Sequence, residues 1–128
     1  VDIDAKHLMI GNFLKNKEGI IVKIDARSIF DIWNQSKDYT CVPITEEFLI
    51  KRLGFNKEYK KGWIGIDVKN DNGITTDFIL SEPYSMGEWQ SFYAFVYDSY
   101  RFVKIEFLHE LQNLYIAITK KQLIEKLN

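Results

Sequence analysis

The sequence predicts an α+β fold, with an N-terminal β-hairpin, a short helix, and an antiparallel β-meander covered by a C-terminal helix and a short closing helix. Three features point there. From Trp63 onward, apolar and polar residues alternate between turn-forming pairs, as in strands joined in sequence order. In KIEFLHELQNLYIAIT, Lys104 to Thr119, a strand-like stretch runs into a helical repeat where Leu108, Leu111, Leu114, Tyr115 and Ile118 recur at spacings of three and four. Thr45, Glu46 and Glu47 supply an N-cap and the carboxylates that suit the first turn of a shorter helix.

Taken in order, His7 to Leu14 and Gly19 to Ala26 read as two strands, and Asn16 and Gly19 of the intervening KNKEG suit a tight turn. Ser28 to Asn34 fits either a strand edge or one helical turn, and NQSKD after it reads as a loop. Tyr39 to Ile44 reads as a short strand, with Pro43 at an edge or an end. The helix after Thr45 should run to Leu53, where Gly54 offers a left-handed C-terminal cap and Phe55 folds back on the last turn. The meander strands are Trp63 to Val68, Thr75 to Leu80, Ser91 to Tyr97 and Arg101 to Phe107. Asn72-Gly73 and Asp98-Ser99-Tyr100 make turns, and Glu82 to Gln90 makes a longer loop. On the last long helix the leucine stripe faces the sheet, while the other side carries His109, Glu110, Gln112 and Asn113 but also Ile116 and Ala117, so a second, smaller contact is expected there. Thr119 and Gln122 have the spacing of a capping box, which opens the closing helix over Lys120 to Leu127.

A chain of 128 residues fits a single domain, residues 1–128. Apolar residues make up 46% and charged residues 27%, which argues against disorder. Aromatic residues, at 15%, are numerous enough that some should be exposed at an interface. A formal net charge of -1 provides no global field to draw in nucleic acid or an anionic membrane. The single Cys41 excludes an intramolecular disulfide and fits a reducing cytoplasm, with a buried apolar role expected for it. There is neither a membrane span nor a signal-peptide pattern, so a soluble intracellular protein is expected.

Catalytic motifs fail on spacing. His109-Glu110 opens a zinc-protease pattern, but the position four residues on is Asn113 where a second histidine is needed. With only His7 besides His109, and one cysteine, a structural zinc site has no ligand set. No nucleophile elbow, phosphate-binding glycine loop or dinucleotide fingerprint occurs, so neither an enzyme, a cofactor nor a small-molecule substrate is expected. YAFV at Tyr93 to Val96 matches the centre of an RNA-recognition signature. Ser91 and Phe92 stand where that motif has a basic residue and glycine, so a strand in an aromatic-rich sheet is the better reading.

Two surfaces remain as binding candidates. Lys51, Arg52, Lys57, Lys60 and Lys61 are interleaved with Tyr59 and other aromatics, a pattern that suits phosphates and stacked bases of single-stranded RNA, or an acidic partner. A solvated helix end with a lysine-rich loop would look the same. The loop carrying Tyr84, Met86 and Trp89 has the residue types of protein interfaces. Its alternative is that these side chains plug one end of the sheet.

Finally, LMIGNF at Leu8, VPITEEFLIKRLGF at Val42 and FLHELQNLYIAIT at Phe107 together resemble a family of small proteins encoded by phages and mobile elements of one broad group of Gram-negative bacteria. That family carries a pattern like L-x-I-G-N, then I-P-L-T-E-E-W-L, then H-E/Q-L-Q-N-L-Y-F-A-L-T-G. The resemblance covers both ends and the middle of the chain, and the meander between is divergent. Phe48 stands where the family usually has Trp, and Lys120 where it usually has Gly, which implies a different joint before the last helix. The family has no established enzymatic activity, and its context is conflict between phage and host. The resemblance therefore implies a phage-derived anti-CRISPR inhibitor of a host defence protein, a type VI RNA-guided ribonuclease or its guide-RNA complex, acting in the host bacterial cytoplasm. A stand-alone single-stranded RNA binder and a phage structural or assembly protein are the alternatives.

Overall fold

The computed structural model describes residues 3–60, 63–69, 73, 75–81, 92–96, 101–123 and 125. They form an α+β fold, and the chain divides into two compact units, Val1–Pro43 with Phe107–Asn113, and Ile44–Glu106 with Leu114–Asn128.

In the first unit, a 3-10 turn at Ala5–His7 is capped by Asp4, whose side chain accepts from the Lys6 N–H. Three short strands follow: β1 (Phe13–Lys15), β2 (Ile21–Lys23) and β3 (Thr40–Cys41), paired antiparallel in the order β2-β1-β3. The predicted hairpin is therefore present with shorter strands. Its turn uses the residues the sequence points to, because the Asn16 side chain accepts from the Glu18 and Ile20 N–H groups and Gly19 takes φ +80. The ambiguous stretch is a helix, α1 (Ala26–Trp33). Asp25 caps it, accepting from the Ser28 N–H and hydroxyl at 2.9 Å each, and these bonds hold the Asp25 carboxyl below its ordinary pKa. Leu8, Leu14, Ile24 and Ile32 make the core, with Ile3, Ala5, Ile29 and Tyr39 packed against it.

In the second unit, α2 (Glu46–Lys51) starts where predicted, with the Thr45 side chain accepting from the Phe48 N–H, and Gly54 takes φ +76 beyond its end. The next segment is not a loop. Asn56–Lys60 forms strand β4, which edges a five-stranded antiparallel sheet in sequence order with β5 (Trp63–Lys69), β6 (Thr75–Ser81), β7 (Phe92–Val96) and β8 (Arg101–Ile105). A register shift interrupts the β4–β5 ladder between Asn56 and Lys60, and that irregularity obscures the alternation expected of a strand. Phe78 centres the core here, with its ring edge-on to Phe55 at 6.3 Å and to Tyr115 at 5.0 Å. Leu49, Ile64 and Leu80 are fully buried.

The long helix, α3 (Leu108–Thr119), departs from prediction in two respects. The second contact expected on its polar side is not centred on Ile116 and Ala117, which are half-buried and exposed, but on His109 and Gln112, which are buried together with Leu108 and Leu111. Nor does a closing helix follow over the described residues 120–123 and 125. Thr119 does not open a capping box. Its hydroxyl donates back to the Tyr115 carbonyl at 2.7 Å, and Lys120 takes φ +62 as the chain leaves the helix. Lys120 thus occupies the left-handed region that a glycine enters freely, at about 1–2 kcal/mol for a residue with a Cβ.

Leu111 is wholly buried and Leu114 only half-buried. Leu111→Ala should lower unfolding stability by roughly 2–5 kcal/mol and Leu114→Ala by distinctly less, read from chemical denaturation midpoints.

Candidate functional site

Polar residues of α3 and of the turn before β1 hold the first unit together. Gln112, 5% exposed, accepts from the Phe13 N–H at 2.8 Å and donates to the Gly11 carbonyl at 3.0 Å. Asn12, 2% exposed, accepts from the Met9 N–H at 2.7 Å and donates to the Asn113 side chain at 2.9 Å. Asn113 in turn donates to the His7 carbonyl at 2.7 Å. Glu110 accepts from the Phe107 N–H at the start of α3. Every carboxamide in this set is engaged by backbone or by another carboxamide.

His109 differs. It lies stacked on Phe107, with ring centroids 5.9 Å apart, and its Nδ1 has no hydrogen-bond partner among the described residues. Burial pushes its pKa below the ordinary imidazole value, Glu110 pulls the other way, and His7 adds to the lowering. The half-buried Cys41 has its thiol pushed up by burial, so it holds its proton and is a poor nucleophile. Among the described residues, no group of three His, Cys, Asp or Glu side chains could hold a metal ion. No helix there is long and apolar enough to cross a membrane.

Of the predicted basic cluster, two members are described in full. Lys51 pairs with Glu47 at 3.1 Å, both side chains being largely exposed. Arg52 pairs with Glu125 and lies over the Phe48 ring at 4.9 Å. The fold therefore brings a carboxylate to each of these cations, which offsets part of their charge. Lys57, Tyr59 and Lys60 lie along β4, where only the backbone is described, and Lys61 lies outside the described residues. Tyr84, Met86 and Trp89 also lie outside them.

A surface the sequence reading missed is α1. Phe30 and Trp33, three residues apart on one helix face, are 65% and 61% exposed, while Ile32 behind them is buried. Their neighbour in the fold is an open groove lined by Ile3, Asp4, Ala5, Ile32, Trp33 and Gln35. The sequence signal was present in SIFDIW, where Ile29 and Ile32 share one side and Phe30 and Trp33 another, but it becomes readable only once the segment is known to be helical. Such a pair of outward aromatic side chains at helical spacing suits insertion into a partner's surface, since Trp and Tyr dominate interface energies and Phe adds large apolar area.

Two measurements probe the buried set. Gln112→Leu leaves the Phe13 N–H and the Gly11 carbonyl without their partner, and should lower stability by roughly 2–4 kcal/mol in urea unfolding. For His109, both states are neutral above the ordinary imidazole pKa and stability is complete there. As pH falls through that value the unfolded chain takes up a proton that the folded chain refuses, so stability falls until the lower, folded value is passed. Unfolding free energy should therefore decline from pH 7 to pH 5, and His109→Gln should flatten that slope.

No protein-family model, no curated protein and no solved structure matches this chain, so its candidate surface rests on the chain's own residues.

Proposed function

We propose that the chain is a non-enzymatic protein-binding module whose interface is centred on Phe30 and Trp33 of α1. The observation that carries this is their exposure, 65% and 61%, on a helix whose other face already supplies the core. Following the resemblance, the partner is a host defence protein, an RNA-guided ribonuclease or its guide-RNA complex, and the chain is a phage-derived anti-CRISPR inhibitor acting in the bacterial cytoplasm. The half-buried Cys41, with its thiol held protonated, and the fully engaged carboxamides of Asn12, Gln112 and Asn113 support a non-catalytic role. The ion pairs of Lys51 and Arg52 make direct RNA binding through that end of the basic cluster the weaker reading.

Affinity purification of the tagged chain from a bacterium expressing a type VI effector, followed by mass spectrometry and RNA sequencing, tests the proposal. The effector should be recovered, and Phe30→Ala with Trp33→Ala should reduce recovery at least tenfold, an interface anchor being worth roughly 2 kcal/mol or more. Both side chains are exposed, so circular dichroism should show an unchanged fold. Recovery of RNA without protein, or a partner lost on Trp89→Ala but kept by the α1 double variant, would overturn the assignment.

A further inference from the structure

The groove beside Trp33 has a chemistry of its own. Its volume is about 370 Å³, near the lower end of the roughly 300–1,000 Å³ of ligand sites, a size that suits one side chain better than a cofactor. Its apolar wall is made by Ile3, Ala5 and Ile32, packed into the core of the first unit.

Four features at its rim favour a cation. The Asp4 carboxylate accepts from the Lys6 N–H at 3.0 Å and has no ion-pair partner among the described residues. Gln35 is also a lining residue, and its side chain carries an oxygen acceptor. The C-terminal end of α1 lies here, closed by backbone donors: the Asn34 N–H on the Phe30 carbonyl and the Gln35 N–H on the Ile32 carbonyl. No basic residue sits in its last turn, so the helix itself supplies no cation to the partial negative end of its dipole. The exposed indole of Trp33 adds an aromatic face, which attracts cations. The chain's nearest cations in sequence, Lys6 and Lys37, are not among the lining residues.

We infer that this groove receives an arginine side chain of the partner protein, its aliphatic stem against Ile3, Ala5 and Ile32 and its guanidinium on Trp33 and Asp4. Arginine suits the site better than lysine because a planar guanidinium stacks on an indole and still presents donors to a carboxylate and a carboxamide together. The assignment rests on the protein-binding reading above, and it names the chemistry that reading leaves open.

The test is a nuclear magnetic resonance titration of the whole chain with N-acetyl-arginine N-methylamide, and in parallel with its citrulline counterpart, which keeps the shape and loses the charge. Arginine should shift the Trp33 indole N–H and the Ala5 and Ile32 methyl resonances saturably, and citrulline should bind at least fivefold more weakly. Asp4→Asn keeps a side-chain acceptor at the cap of the 3-10 turn, and should weaken arginine binding roughly two- to fivefold, as should Trp33→Ala. Equal binding of citrulline, no saturable shift, or an unaffected Asp4→Asn variant would overturn the inference. So would concentration-dependent dimerisation abolished by Trp33→Ala, since a second copy would then cover the groove. Partner capture separates the two readings. Capture lost in the Phe30→Ala and Trp33→Ala variant but unchanged in Asp4→Asn rejects the arginine and keeps the module. Saturable arginine binding with no protein captured supports the groove and rejects the module.

Discussion

The carboxamide of Gln112 makes the same pair of hydrogen bonds to residues Gly11 and Phe13 that a neighbouring strand would make, accepting from one N–H and donating to one carbonyl. A side chain on α3 thus stands in for backbone at the start of β1, where a buried N–H and carbonyl would otherwise go without partners. Gly11 takes φ +94 in that turn, a conformation open to glycine at little strain. Asn12 then turns inward to close the turn on Met9 and reach Asn113. Once these bonds form, the first turns of α3 have one position in the first unit. Leu108 and Leu111 are buried beside them, and His109 is carried inside with no partner for its Nδ1 among the described residues.

Those same residues carried the resemblance at both ends of the sequence. LMIGNF and HELQNLY look like separate tags when read along the chain, about a hundred positions apart. In the fold they are two halves of one hydrogen-bonded set. Local signals in the sequence, by contrast, were readable because their cause is local. The Thr45 cap, the Gly54 turn and the Asn16 and Gly19 hairpin turn each depend on neighbours within four residues, and each is in place.

What the sequence hid has equally physical causes. The helical repeat of α3 marks Gln112 as polar, and polarity alone points outward, because the partner that makes its burial favourable lies at Phe13. IFDIW has too few residues to separate a period of two from one of 3.6 without its Asp25 cap, and the cap works through Ser28, which the reading placed inside an ambiguous segment. Strand β4 is charged and bulged against β5, so neither composition nor alternation announces it. At the end of α3, Thr119 and Gln122 fit a capping box by spacing, yet a threonine hydroxyl can also bond back to the carbonyl four residues earlier, and that local alternative is the one realised.

The placement of Phe30 and Trp33 follows from the same local physics. Asp25 sets where α1 begins, and the core of Leu8, Leu14 and Ile24 fixes which side of it turns inward by taking Ile32 and, in part, Ile29. Rotating the helix to bury Phe30 and Trp33 would bring out the isoleucines and break the Ser28 bonds, at about 1.5–3 kcal/mol for each large apolar side chain exposed. The fold therefore holds both aromatics in solvent whatever their own preference for burial. A partner that covers them gains their apolar area without first having to unpack anything, and the backbone that presents them is already ordered. For the interface proposed above, two exposed aromatic side chains on an already ordered helix would lower the ordering cost that limits affinity.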